Sequence, residues 1–496
     1  MNDKFDELAE GMAQSITRVL LCVAMAAQLA VHAHADNFKL GPLIQVSKNP
    51  DPLAGCDTGF RPVGNVNFND EIETRIAVDP TNPSHLVATW IGHGLQANFV
   101  GVSFDDGATW QETALPGLTT CTGGPFTLTV DPYLRSIAPN GDIYLASAAV
   151  GGPSAILVNK STDGGLTWTM PITIDQGQFF DDKPSTTAEP TDPRTAYVVF
   201  ERNSNNGTDS TFFSRTTDGG RTWEAAREIS NPGKKNRNTG HNILVLPGGT
   251  LVCFSSHEEY DSHAGTYRTS LATLRSTDRG QTWLPVSGPT PGPEIKSINP
   301  ADPGVGATDP DTGLLVHEVD AAVAFATVDP NSGAIYAVWE DSRFSGGQYN
   351  SIAFSQTTDG GLTWSEPIQV NQTPNNIPPA DRQAFRPTIA VAADGTIGVT
   401  SYDFRFNDVS PGTRTDYWFV SMRPTKQRAP TDPSNWQNEV RLTDASFDLQ
   451  AAAIDYGGEF VGDSNGLATV GNDFVATWSM PAGTDQGNIY FRRVGP

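Results

Sequence analysis

Five copies of one eight-residue pattern, Ser/Thr-x-Asp-x-Gly-x-Thr-Trp, recur along the chain: SFDDGATW ending at Trp110, STDGGLTW at Trp168, TTDGGRTW at Trp223, STDRGQTW at Trp283 and TTDGGLTW at Trp364. Self-similarity on this scale predicts repeated copies of one supersecondary unit, not a single irregular core. Each copy has the chemistry of a tight hairpin. The carboxylates of Asp105, Asp163, Asp218, Asp278 and Asp359 are suited to accept backbone N–H groups within the turn, and the Gly supplies a conformation that a Cβ would oppose. The Trp then plugs the turn, so these residues read as structural staples.

Ahead of each box lies a pair of short apolar strands. The pairs are Arg75–Val78 with Leu86–Trp90, Tyr133–Ile137 with Asp142–Ala146, Ser185–Ala188 with Ala196–Phe200, Asn242–Leu246 with Thr250–Phe254, and Ala322–Val328 with Ala334–Trp339. Phe385–Arg405 and Glu459–Trp478 repeat the pair without a box, which gives seven units. The last has only Asn488–Val494 as a third strand. The N-terminal GPLIQVSKN matches EPIQVNQT after the fifth box, so it is expected to supply the missing strand and leave no open edge. A count of 48 Gly and 36 Pro in 496 residues, with 18 % charged, suits many short strands joined by turns.

On these boxes the chain resembles the Asp-box, or BNR-repeat, proteins, the superfamily that includes sialidases and other carbohydrate-active β-propellers. The resemblance runs from about Leu40 to the C-terminus. It implies an all-β fold: a single β-propeller of four-stranded antiparallel blades, seven by the strand count, with the six-bladed sialidase fold as the alternative, closed by the N-terminal strand. It also implies that the boxes lie on the face away from the substrate pocket.

The apolar run Val19–Val31, followed by Ala33-His34-Ala35, predicts a signal peptide over residues 1–35, with Met12 an alternative start, and a single domain over residues 36–496. The expected location is secreted or periplasmic. No later stretch is long enough to span a bilayer. The net charge of −24, about −22 without the leader, argues against nucleic acid or an anionic membrane as partner. Cys22 leaves with the leader, and Cys56 and Cys121 lie in loops flanking the first unit, where an exported chain is expected to join them as a disulfide. Cys253, within an apolar strand, reads as a buried small hydrophobe. No metal and no cofactor is expected. A calcium-loop start at Asp309, Asp311 and Gly313 lacks its terminal acidic ligand, which leaves a structural calcium without support and a plain turn preferred.

Chemistry is sought where first strands begin and second strands end, because these points share one face beside the channel. There the chain places Arg202, Arg343, Arg386 and Arg405 with Asp182, Glu201, Glu258, Glu340, Asp341 and Asp403, and with His93, His241, His257 and Tyr402. Guanidinium forks suit a carboxylate on an acidic sugar. The sialidase resemblance implies Tyr402 as nucleophile, Glu340 as its partner, Asp182 as acid/base, and Arg343 and Arg386 as carboxylate ligands, with Arg202, Arg405 and His241 also facing the substrate. The Phe-Arg-Ile-Pro motif of that family is missing. Aligning TRIAV with FRPTIAV pairs Glu73, not Arg75, with Arg386. The expected partner is therefore an acidic glycan, met by a monomeric sialidase-like exo-glycosidase. Two other readings stay open: a non-catalytic binding propeller whose acid-x-Arg pairs are architectural, and a lyase using a His/Tyr/Arg site.

Overall fold

A computed structural model describes residues 38–495 apart from 49, 62–63, 65–67, 152, 205–206, 264, 286–305, 317–323 and 456. The expected leader, Met12, Cys22, much of the insertion after Trp283, and Ala322 of the fifth pair lie outside the described residues. Described helices are short 3-10 turns, and strands dominate.

Among the described residues the strands fall into seven antiparallel sets and a separate two-stranded pair, Ala453–Asp455 with Gly458–Phe460, which takes Glu459 and Phe460 out of the expected seventh pair. The innermost members of the seven sets are Ile72–Asp79, Leu128–Tyr133, Phe180–Ala188, Arg237–Val245, Phe325–Val328, Ala384–Val391 and Gly466–Val470. The first six sets are completed by three further strands in chain order, and a single bridge, Asp209 to Arg237, joins the third to the fourth. The seventh runs Gly466–Val470, Asp473–Ala482, Asp485–Gly495, and its outer edge is paired by the N-terminal Lys39–Leu40 and Ile44–Gln45. Strands from opposite ends of the chain thus share one sheet. The first and seventh sheets also meet directly, where Thr74 Oγ1 donates to Thr477 Oγ1 at 3.0 Å.

One strand departs from the sequence reading. The second innermost strand pairs over Leu128–Tyr133, not Tyr133–Ile137, because its ladder shifts between Val130 and Tyr133. Asp131 sits at φ 49° and Pro132 has no N–H to donate, so the register cannot continue unbroken. Leu134 and Ile137 still pack into the core between the first two sheets.

The boxes explain how sheet is fastened to sheet. In the first, Asp105 Oδ1 accepts Thr109 N–H at 2.8 Å and Oδ2 accepts the Thr109 hydroxyl at 2.7 Å, while Ser103 Oγ accepts Gly107 N–H at 2.9 Å. Asp163, Asp218, Asp278 and Asp359 repeat this with Thr167, Thr222, Thr282 and Thr363. The hydroxyl and N–H bonds pull the Asp218 and Asp278 carboxyls down to about 2. Each box then presses its Trp and Gly on the sheet before it. Trp223 meets Tyr144, Trp283 meets Phe213, and Trp110 meets Phe491 of the seventh sheet, at ring-centroid distances of 6.2, 5.2 and 5.3 Å.

Cys56 and Cys121 form a disulfide, and Cys253 is buried. Asp309 spends its carboxylate on the N–H groups of Asp311 and Thr312 and on the Thr413 hydroxyl, the bonding of a plain turn.

Candidate functional site

A register shift like that at Asp131 recurs near the start of the innermost strands, between Ile72 and Arg75, Asp182 and Ser185, Thr239 and Asn242, and Phe385 and Thr388. In each shift one residue takes a left-handed backbone: Glu73 (φ 57°), Asp131 (49°), Lys183 (44°), Gly240 (65°) and Arg386 (51°), with Gly462 (90°) just ahead of the seventh inner strand. Four of these six are charged non-glycine residues in a region that costs a side chain of order 1 kcal/mol or more. The shifts bring unlike charges together around the axis, where Glu73, Asp131, Lys183, His241 and Asp463 line a cavity of about 30 Å³. The pairing of Glu73 with Arg386 read from the sequence is thus a structural equivalence.

Asp463 binds the two cations, accepting from Lys183 Nζ at 3.0 Å and facing Arg386 Nη2 at 3.3 Å. The other carboxyls crowd one another. Burial, and then the charge of Asp131, push Glu73 and Asp182 well above the usual carboxylate range, with Lys183 pulling the other way. Asp131 acts on both, so the three make up a chain of neighbouring carboxyls in which burial favours the protonated forms of Glu73 and Asp182. One oxygen of Asp182, Oδ1, is buried without a hydrogen-bond partner. Beside them His241 accepts or donates one bond, Nε2 to Thr211 Oγ1 at 2.9 Å, and burial lowers it to about 3, so it is neutral. Among the described residues no three His, Cys, Asp or Glu are arranged to hold a metal ion.

Of the residues singled out in the sequence, Asp182, Glu201, His241 and Arg386 meet around this axis. The other catalytic and ligand candidates are engaged elsewhere. Arg202 grips Asp181 through Nε at 2.7 Å and Nη2 at 3.0 Å and stacks on Phe212. Arg343 binds Asp341 at 2.8 Å, and Arg405 binds Asp403 at 2.6 Å and Glu439, with Trp418 under its guanidinium. Each of the three guanidiniums is thus engaged by a carboxylate of its own sheet or of a neighbouring strand. Glu340 joins two sheets instead of activating a tyrosine: its Oε1 accepts Arg386 N–H at 2.8 Å and its Oε2 accepts Asn350 at 3.1 Å.

Tyr402 also needs correction. Its ring is wholly buried, stacked on Phe385 and tilted on Tyr417 at 5.2 and 4.6 Å, and its hydroxyl donates to Ser479 O at 2.7 Å. Burial raises its phenol well above the usual range, the opposite of what a nucleophile needs. Tyr402→Phe should therefore cost about 1 kcal/mol of stability for the lost bond and leave any turnover unchanged; loss of turnover with the fold intact would restore the nucleophile role.

Sequence reading missed Asp131, Tyr133 and Arg135 as site residues. A signal was present: Asp131-Pro132, Lys183-Pro184 and Arg386-Pro387 are the same charged-residue–Pro step at the same strand position.

Four-stranded antiparallel sheets stapled by Asp-boxes make the fold a β-propeller. In agreement, residues 76–288 match the family model described as a BNR repeat-like domain. No curated protein matches the chain. Among solved structures it is similar to the α-L-arabinanase of Penicillium chrysogenum complexed with arabinobiose, at 16 % identity, covering 69 % of this chain and 94 % of that one, with a TM-score of 0.45. It is also similar to the polysaccharide lyase Uly1 (9 % identity, 92 % and 99 % covered, TM-score 0.47) and to NanB sialidase from Streptococcus pneumoniae (11 %, 83 % and 83 %, TM-score 0.42).

Proposed function

We propose that this protein is an exported glycan-cleaving hydrolase whose reaction centre is the axial carboxyl chain, with Asp182 as proton donor and Asp131 as its carboxylate partner. The observation that carries the reading is Asp182, whose Oδ1 is buried without a hydrogen-bond partner and whose carboxyl is pushed toward its protonated form, beside two more carboxyls on strained backbone. A carboxylic acid held protonated near neutrality is what departure of a glycosidic oxygen requires. Export is supported by the apolar run Val19–Val31 and by the Cys56–Cys121 disulfide.

The acidic-glycan half of the expectation loses its basis in Arg202, Arg343 and Arg405, so neutral glycans belong on the assay panel beside sialosides and uronate-containing polysaccharides. The test is release of reducing ends by the purified chain, read together with ultraviolet absorbance. Reducing ends without absorbance support hydrolysis; absorbance rising with them means elimination and overturns it. A binding propeller without catalysis is the second reading, favoured by the small volume of the axial cavity, about 30 Å³. Silence from a folded protein across the panel would select it.

A further inference from the structure

The axial charges do not fill the channel. Below them, toward the turns that join first to second strands, a cavity of about 430 Å³ runs between the innermost strands as far as Pro80, Pro139 and Pro190. That volume falls in the range of about 300–1,000 Å³ typical of small-ligand sites. Arg75, Tyr133 and Phe325 line both cavities and so mark the constriction between them. The Arg75 guanidinium lies over the rings of Tyr133 and Phe325, 4.5 and 4.6 Å from their centroids.

Two guanidiniums face the larger cavity and no carboxylate lines it. Arg135 donates to Ala326 O at 2.7 Å and to Asn242 Oδ1 at 3.4 Å, both neutral acceptors. Among the described residues neither Arg75 nor Arg135 has an ion-pair partner. The carboxyls nearest Arg75, Glu73 and Asp131, belong to the upper cavity. Elsewhere along the channel cations are paired, as Lys183 and Arg386 are by Asp463. In a chain of net charge −24, two cations left together in a cavity are a site for an anion supplied from outside. The Tyr133 phenol between them is itself lowered: burial raises it, but Arg75 and then Arg135 outweigh that. Ser136, Thr327 and Thr388 add hydroxyls, and Ile76, Leu134 and Leu467 add apolar wall.

We infer that this end of the channel binds a small organic anion, its carboxylate or sulfate head held by Arg75 and Arg135 and its body against the apolar wall. The site lies on the Asp-box side, away from the reaction centre proposed above, and does not depend on that reaction. Calorimetric titration of the full chain with glucuronate, inorganic sulfate and glucose at constant ionic strength tests it. Glucuronate should bind saturably and compete with sulfate, and glucose should not bind. Arg135→Gln should weaken glucuronate at least tenfold, and Arg135→Lys, which keeps the charge but loses the fork, should weaken it less. Because Arg135 also braces Ala326, Ala468→Leu serves as a second variant that fills the cavity and keeps both guanidiniums; it too should weaken glucuronate. Absence of saturable glucuronate binding, sulfate binding alone, or equal affinity in wild type, Arg135→Gln and Ala468→Leu would overturn the inference.

Discussion

Asp182→Asn lowers kcat by about 10² to 10⁴ while the protein stays folded, because the amide keeps the shape of the side chain and cannot give up the proton the leaving group needs. The crowded carboxyls make this change mild for the fold. Burial, then Asp131 and Glu201, favour the neutral form of Asp182 against the pull of Lys183, so a neutral amide stands in for the favoured form. The pH profile follows from the same direction. The reactive form is the protonated one, so turnover falls as pH rises through a value displaced above the ordinary carboxylate range, and this basic limb should vanish in the residual activity of the variant. A variant with wild-type kcat would remove Asp182 from the reaction.

Gly107→Ala destabilises the fold by about 2–4 kcal/mol, the sum of a strained backbone and an overfilled contact. Gly107 has φ +86°, and a Cβ there would lie 2.3 Å from Phe491 Cε1 on the neighbouring sheet. Gly141→Ala is the matched control: φ is +85°, yet nothing lies within 4 Å of the added carbon. It should lose only the backbone part, about 1 kcal/mol. Urea denaturation of both variants separates the two terms. Equal losses would mean that the box glycine serves its turn alone and not the seam between the first and seventh sheets.

The boxes were legible in sequence because their chemistry is local. An Asp bonding to the N–H and hydroxyl of a Thr four residues on, and a Gly with positive φ, need no partner from elsewhere in the chain. Strand order and the pairing of the N-terminal segment followed from repetition, and so did the match of Glu73 to Arg386. The register of the second inner strand was not legible, since apolar residues on both sides of Asp131-Pro132 fit a strand equally well and only the shift at Asp131 chooses between them. The reactive residues were the least legible. Arg202, Arg343 and Arg405 look like ligands until the positions of Asp175, Asp181, Asp341, Asp403 and Glu439 are known, and pairing of that kind is a tertiary fact. Tyr402 lies near the end of the strand Ile397–Asp403, whose alternation does not say which side faces the channel and which the core. Arg75 and Arg135 carried no motif; what singles them out is a shared cavity whose lining holds no carboxylate, visible only once the inner strands are brought side by side.

The central claim, that glycosidic bonds are broken at the axial carboxyl chain, is tested most directly by a crystal structure of Asp182→Asn with an uncleaved oligosaccharide chosen from the assay panel. The account requires a glycosidic oxygen within hydrogen-bond distance of the residue 182 side chain, with Asp131 on the same sugar. An oligosaccharide bound elsewhere, with its glycosidic oxygens remote from Asp131 and residue 182, would contradict it.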